Sequence, residues 1–465
     1  MKGAAWLGAV AAVWGYAVFQ YGGVVGLDRK IFLLALGVTG LAWWVVNRRE
    51  MAPMPRVAGW CGWLLPAYAA LQLVPLPRAV LAVVSPARVE LMRGLDGLGA
   101  GEGAATLNVA PGIGMNHFLL IAGYAVVFFL MYQIGAERRW GAMLPVMVAA
   151  VLEAVLGMAQ ALGGQAASGT YVNRDHYAGL LEMALPFALV YPVAVWRGVD
   201  TRREFPMKPA VVMCVSLGMA GLIVAGSLAS LSRTGFLAPL FSVMVMGIVA
   251  VRGNGWRSAG LVGLLAAGLA VSFVVLPSDE LIARFAQSKD DMTAEGRTEL
   301  WKESLALVRA YPVFGCGLGG YESAFLRYKV SVPMVSDDRA HNDYLQFLIE
   351  LGAAGFAIGL ALMGSIVART WRAAAREAEP ESRYLAIGCI GAMAAIGLHS
   401  VVDFNLYVPA NAMLLAWICG VALSIGPGRG ARDWRGGGLP VTIEVTAVRG
   451  GTAPGAEAPG GRGTR

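Results

Sequence analysis

The sequence is poor in charge. Only 14% of its 465 residues are Asp, Glu, Lys or Arg, while 57% are hydrophobic and the mean hydropathy is +0.60. Soluble domains carry about 25% charged residues, so a water-soluble globular domain is excluded. The apolar residues fall in runs of about 17–25, the length that crosses a bilayer as a helix. The formal charge of +7 is then no argument for nucleic acid, because basic residues beside spans are the ordinary signature of orientation. Cysteine is scarce too. Cys61, Cys214, Cys316, Cys389 and Cys419 form no C-x-x-C pair, and four of the five lie in predicted spans. Neither a disulfide framework nor a thiolate metal site is indicated. No internal repeat is present, and no Asp-x-Asp pair marks a divalent metal site. The run GCGLGG at 315–320 formally fits G-x-G-x-x-G. No strand precedes it and no βαβ unit surrounds it, so it is not a dinucleotide signature. Its glycines serve a tight turn or a close backbone approach.

What is present is an all-α pattern. Apolar spans fall near 5–26, 31–46, 57–75, 117–135, 141–162, 177–196, 209–231, 235–251, 258–276, 343–368, 384–401 and 407–426. These predict a polytopic bundle of about twelve transmembrane helices. The N-terminus has the charge and apolar core of a signal peptide but no convincing cleavage site, and reads as an uncleaved first span. Alternate short loops carry Arg48, Arg49 and Arg56; Arg138 and Arg139; Arg197, Arg202, Arg203 and Lys208; Arg252 and Arg257; Arg369, Arg372, Arg376 and Arg383. The positive-inside bias puts these loops and both termini in the cytoplasm. The long segments 76–116 and 277–342 then face outward. The first reads as a re-entrant or interfacial helix followed by a loop. The tail from Pro427, rich in Gly, Pro, Arg and Thr, reads as disordered. The organisation expected is a bundle over 1–276, an outer catalytic loop over 277–342, three last helices over 343–426 and a cytoplasmic tail over 427–465.

The most polar interruption is 296–355. There TELWKESLALVRA sets Leu300, Trp301, Ser304, Leu305 and Val308 at helical spacing, an amphipathic helix at the membrane surface. Pro312 ends it, ESAFLRYKV reads as a second short helix, and His341-Asn342 opens the next span. The four histidines, His117, His176, His341 and His399, all fall at outer span ends in this topology. Each is tolerated at an interface; together they suggest a polar outer cavity. Arg233 lies in a tight turn between two apolar spans with no carboxylate near it in sequence. An arginine at membrane depth costs about 2.5–3.5 kcal/mol at the centre, so it faces a cavity or an anion, or snorkels to headgroup phosphates. YVNRDHYAG supplies Asn173, Arg174, Asp175 and His176 at a span mouth, with Glu182 about two turns inside, which is expensive for a carboxylate. HSVVDFNLYVPAN supplies His399, Asp403 and Asn405, with capping as open as substrate contact for the last two.

Arginine's planar fork matches phosphate oxygens, and a histidine with a pKa of about 6.5 suits proton transfer near neutral pH. Arg233, Arg297 and His341 on one face of a bilayer therefore fit a lipid-linked phosphate donor. Without a metal signature, the arginines must do the charge work a metal does elsewhere.

The run GRTELWKESLALVRAYPVFGCGLGGY…AHNDYLQFLIELGAAG resembles the signature region of the O-antigen ligase and polymerase family. It has an Arg ahead of a helix, a Pro-x-x-G-x-G turn, and a His-Asn opening a span that ends in E-x-G-x-x-G. Agreement extends to YVNRDHYAG, SRTG and HSVVDFNLYVPAN, across about 70–425. The resemblance implies a multispan glycosyltransferase fold in a bacterial inner membrane, active at the periplasmic face, metal-independent, cofactor-free and inverting. Its donor would be a glycan on undecaprenyl diphosphate and its acceptor lipid A–core or another glycan. Arg233 and Arg297 would hold the diphosphate and His341 would activate the acceptor hydroxyl. Asn173, Arg174, His176, Trp301, Asn342 and Asp403 would bind substrate. Arg174 departs from the pattern, since many relatives have a small polar residue there. A ligase moving finished polysaccharide onto lipid A–core is the leading expectation, and a polymerase using the same donor is the alternative. Relatives that glycosylate protein usually carry a further large outer domain. A solute transporter, the reading from another class, would want polar residues at the midplane, whereas here they gather at one face.

Overall fold

The computed structural model describes residues 2–96, 103–197, 207–251, 294–330, 338–377 and 379–426. The predicted span at 258–276, the parts of the outer loop at 277–293 and 331–337, and the tail from 427 lie outside these.

The chain is a polytopic helical membrane protein. The spanning helices are α2 (Gly26–Asn47), α6 (Pro111–Arg138), α7 (Leu144–Leu162), α8 (Arg174–Arg197), α9 (Met207–Ala229), α10 (Arg233–Val251), α13 (Asp343–Arg376) and α14 (Pro380–His399). Among the described residues these eight are long and apolar enough to cross a bilayer. Two shorter apolar helices, α1 (Lys2–Phe19) and α15 (Pro409–Ser424), fall on two more predicted spans. A further predicted span corresponds to α3 (Arg56–Leu71), 16 residues with Pro66 inside it. The expected count of about twelve is thus not confirmed among the described residues: eight of the predicted segments are long apolar helices, three are shorter helices, and one is not described.

Burial separates central from peripheral helices. The apolar windows of α8 and α14 are 78% and 72% buried, against 17% for α2 and 22% for α13. Nearly every residue of α15 is buried, as suits a helix that is apolar all round. It packs on α6. Indole N–H groups lock the centre by donating to backbone carbonyls of other segments: Trp417 Nε1 to Ala142 O at 3.1 Å and Trp14 Nε1 to Ala410 O at 3.0 Å.

The segment expected as one interfacial helix after residue 76 is two, α4 (Arg78–Val84) and α5 (Pro86–Asp96), broken at Ser85-Pro86. Proline restricts its predecessor to extended backbone. A two-residue antiparallel pairing of 75–76 with 105–106 closes this loop. In the polar segment, α11 (Ala294–Ala310) and α12 (Tyr321–Phe325) are the two expected helices. The buried face of α11 is Leu300, Ser304 and Leu307, continued by Tyr311, whereas Leu305 is exposed. That face packs with Tyr321, Phe325, Cys316, Ala340 and Ile349 into a small core of its own.

The glycine turn is a packing element. Cys316 N donates to Ile349 O at 2.9 Å and Gly317 N to Glu350 O at 3.0 Å, which seats the turn on α13. Gln72 adds a third partner, its amide donating to Phe314 O at 2.7 Å and Glu350 O at 2.9 Å. The Ile349 and Glu350 carbonyls are free because α13 breaks at Gly352, with φ 63° and ψ −178°. Gly315, at φ 74°, approaches so closely that a Cβ would run into the Glu350 carbonyl. Only glycine meets both demands cheaply.

Candidate functional site

Asp403 is the hub of the site. It lies in the loop between α14 and α15 and is 4% exposed. Three of the four histidines surround it. His176 Nε2 lies 3.5 Å from Oδ2, His399 Nε2 3.7 Å from Oδ2, and His341 Nδ1 3.8 Å from Oδ1. Asn405 Nδ2 donates to Oδ2 at 3.2 Å. Phe404 fills the space between two of the rings, edge-on to His176 at 4.7 Å and to His341 at 4.9 Å. Burial works to raise the Asp403 carboxyl, but the three imidazoles turned towards it at 3.5–3.8 Å outweigh it. The net direction is below the ordinary carboxylate range, as nearby cations favour the charged form.

The chain continues inward from this hub. His399 Nδ1 lies 2.9 Å from Glu182 Oε2, and both residues are at most 1% exposed. Glu182, two turns inside α8, thus has a buried imidazole as its partner, which is what a carboxylate at that depth requires. The result is an alternating row, Glu182–His399–Asp403–His341, running from the bundle interior to the start of α13.

His341 is held by what flanks it. Asn342 caps α13, its Oδ1 accepting Leu345 N at 3.0 Å, the usual N-cap geometry. Asp343 Oδ2 accepts from Ser400 Oγ at 2.8 Å and Leu406 N at 3.1 Å, while Asp343 N donates to Ser400 O at 2.9 Å. On the other side, Trp301 Nε1 donates to Ala340 O at 2.8 Å and Ala340 N to Gln346 Oε1 at 2.8 Å. Between these anchors His341 sits at φ 47°, a region uncommon for a residue with a Cβ. Its side chain is 25% exposed, so it is the member of the row that is both pinned and accessible.

The other predicted residues are placed as follows. Arg297 and Trp301 are one helical turn apart on α11, and so neighbours on its surface. The Arg297 Nε is buried without a hydrogen-bond partner. Arg233 is exposed at the first position of α10, after a turn fixed by serines: Ser227 Oγ donates to Gly235 O at 2.8 Å, and Gly235 N to Ser232 Oγ at 3.0 Å. Asn173 Oδ1 accepts Asp175 N at 2.7 Å, and Arg174 is half-buried at the first position of α8. The site therefore unites His176, His341, His399 and Asp403, with Trp301 and Asn342 as its fastenings.

The fourth histidine, His117, stands apart from the hub, edge-on to Tyr407 at 5.7 Å. Tyr407 donates to Glu350 Oε2 at 2.7 Å, and burial and that carboxylate push its phenol well up. Arg339 lies over the same ring at 5.0 Å. Arg339 gives no sequence signal beyond being an arginine two residues from His341.

No curated protein matches the chain. Residues 218–360 match the family described as O-antigen ligase. That stretch, under a third of the chain, holds Arg233, Arg297, Trp301 and His341.

Proposed function

We propose that this protein is a membrane glycosyltransferase of the ligase type, which transfers a polysaccharide from undecaprenyl diphosphate to a hydroxyl of lipid A–core. The observation that carries the reading is the pairing of His341 with Asp403. A carboxylate facing Nδ1 favours the tautomer with its proton there, which leaves Nε2 as the base. The acceptor hydroxyl gives its proton to Nε2 as its oxygen attacks the anomeric carbon, and the bond to the donor diphosphate breaks from the opposite face, with inversion. Asp403 stabilises the imidazolium that results. A positioned base of this kind contributes about 10²–10⁴-fold.

Arg233 and Arg297 neutralise the departing diphosphate, and no metal is required for that charge work. The unpaired Nε of Arg297 supports an anion as its missing partner. Trp301 and Asn342 act as positioning residues, since their polar atoms are committed to Ala340 O and Leu345 N. Arg174, Asn173 and His176 bind substrate in this reading. The active face is periplasmic, with both termini cytoplasmic.

The lipopolysaccharide of a deletion strain tests the reading. Core without O-chain, together with accumulated lipid-linked polymer, is the expected result. Core bearing a single repeat would make the protein a polymerase, and unchanged lipopolysaccharide would overturn both.

A further inference from the structure

The row that ends at His341 has an inner half with no part in the transfer step described above. His399 closes α14 with its side chain fully buried, and Glu182 on α8 is 1% exposed. His399 Nδ1 lies 3.0 Å and 2.9 Å from the two Glu182 oxygens. Its Nε2 is equally buried, has no hydrogen-bond partner, and faces Asp403 Oδ2 at 3.7 Å. Each ring nitrogen of His399 therefore meets a carboxylate. An ionised carboxylate only accepts, and only the imidazolium carries an N–H on both nitrogens. The geometry is that of a cation fixed between two anions.

Helix packing alone gives no reason for this pair, because exchanging a buried ion pair for apolar residues of similar volume is often neutral or stabilising. The surroundings nevertheless hold it in register. Asn411 Nδ2 donates to His176 O and to Asn405 Oδ1, each at 2.8 Å, which clamps the mouth of α8 to the loop carrying Asp403. Gly179, three residues before Glu182, lies so close to that Asn405 oxygen that a Cβ would overlap it. Other ionisable groups on the neighbouring elements are engaged elsewhere or open their helices. On α7, Glu153 accepts from Thr170 N at 2.9 Å and Thr170 Oγ at 2.6 Å. On α13, Asp343 Oδ2 accepts from Ser400 and Leu406, and Tyr344 Oη donates to Gly397 O at 2.7 Å. Tyr407 donates to Glu350, and Arg339 Nη1 donates to Asp338 O at 2.6 Å. Asp175 and His176 lie in the first turn of α8 and Arg297 near the start of α11. The titratable residues of α9 are Lys208 and Cys214, that of α10 is Arg233, and that of α15 is Cys419.

We infer that Glu182 and His399 tune the proposed base from behind: Glu182 fixes His399 as a cation, that cation offsets part of the charge of Asp403, and His341 is left neutral and free to take a proton. Both are positioning residues, Glu182 acting through His399 and His399 through Asp403. The inference rests on the proposed transferase reading for the role of His341 as base. Its sign follows from the order of the row. An Asp403 facing no cation would hold a proton on His341 more tightly, since a nearby opposite charge favours the charged form. His399 stands between Glu182 and Asp403, so at His341 its positive charge outweighs the more distant negative one. When His341 accepts the hydroxyl proton, the row becomes anion, cation, anion, cation, and no net charge is left buried.

The test uses the purified full chain in detergent with isotope-labelled imidazoles, and follows the His341 ring by NMR as pH is varied; His341→Asn identifies its signal. Glu182→Gln keeps the shape of the side chain. Its amide donates to His399 Nδ1, which moves the ring proton to Nε2 and leaves His399 neutral. The His341 midpoint should then rise by about one pH unit, the low end of the roughly 1–3 units that a neighbouring charge is worth. Glu182→Met/His399→Phe removes both charges without stranding a polar group. It should move the midpoint in the same direction, and it decides the matter if the first variant does not fold. A midpoint that stays in place, or falls, would overturn the inference.

Transfer kinetics give the second readout. The acid limb of kcat/KM against pH should move upward with the His341 midpoint. A purely structural role would lower kcat alike at every pH and leave the limb in place, and that outcome would also overturn the inference. If the wild type transfers no glycan, or its acid limb does not follow the His341 midpoint, the transferase reading falls. The NMR shift then still decides whether Glu182 and His399 set the proton affinity of His341.

Discussion

The indole N–H of Trp301 donates to the carbonyl of Ala340 at 2.8 Å, and this one bond ties the helix bearing Arg297 to the residue before His341. The proposed anion-binding cation and the proposed base are thereby set at a fixed separation, although they are 44 positions apart in the chain. Trp301→Phe keeps the aromatic volume and removes the donor. An ordinary buried hydrogen bond contributes about 0.5–1.5 kcal/mol, so global stability should fall only by that order. Transfer should fall more, about tenfold in kcat, because positioning errors act directly on the barrier. Melting curves and single-turnover rates on one preparation separate the two effects. Equal, small losses in both would remove the coupling.

His341→Ala should reduce transfer by about 10²–10⁴-fold in a purified system with lipid-linked donor, while the helical signal and melting temperature stay close to wild type. Turnover near the wild-type rate would sink the assignment of His341 as base.

Asp403→Asn separates the hub from the base. The Asp403 carboxyl is held below its ordinary range, whereas an unfolded Asp titrates near 3.9. A group with a depressed folded pKa stabilises the native state fully above the unfolded value, and that contribution is lost as pH falls towards the folded one. Wild type should therefore be more stable than Asp403→Asn above about pH 4, with the gap narrowing as the medium is acidified further. Thermal denaturation of both proteins in parallel from pH 3 to pH 7 reads this directly. A constant gap across that range would show that the carboxylate charge carries none of the stabilisation.

Much of this architecture was legible in the chain because bilayer physics leaves its mark on every span: eleven of the predicted segments coincide with helices. The row of polar groups was legible only in part. Glu182 and His399 each stood out as expensive residues, but nothing in their spacing says that they pair across 217 positions. Asn342 and Trp301 read as substrate contacts from their place near His341; that each also makes a structural bond, the α13 cap and the tie to Ala340 O, has no signal in the sequence.

The glycines of the turn make a prediction about stability alone. Gly352 and Gly315 both have positive φ, and a Cβ on either would collide with backbone, not with a side chain that could swing away. Gly315→Ala or Gly352→Ala should destabilise by about 1–3 kcal/mol or more, seen as lower yield and melting temperature. Gly359, with open space around its Cβ position and helical backbone, is the control. Gly359→Ala should be neutral or slightly stabilising, because alanine is the better helix former by about 1 kcal/mol. If all three behaved alike, the turn would not be what fixes α11 against α13.

Arg297→Ala and Arg233→Ala test the proposed diphosphate pair. Arg297 has a buried, unpaired Nε, and a charge-assisted hydrogen bond to a bound anion contributes about 1.5–3 kcal/mol. Donor affinity should fall about tenfold to a hundredfold in that variant. Arg233, more exposed and set on a serine-bound turn, should give a smaller loss of affinity and a larger loss of kcat if it meets charge only as the diphosphate departs. Binding of a non-transferable lipid-linked donor analogue, measured beside the transfer rate, distinguishes the two patterns. Unchanged donor affinity together with unchanged kcat in both variants would leave the anion without its cations, and the proposed leaving-group site would have to be sought elsewhere.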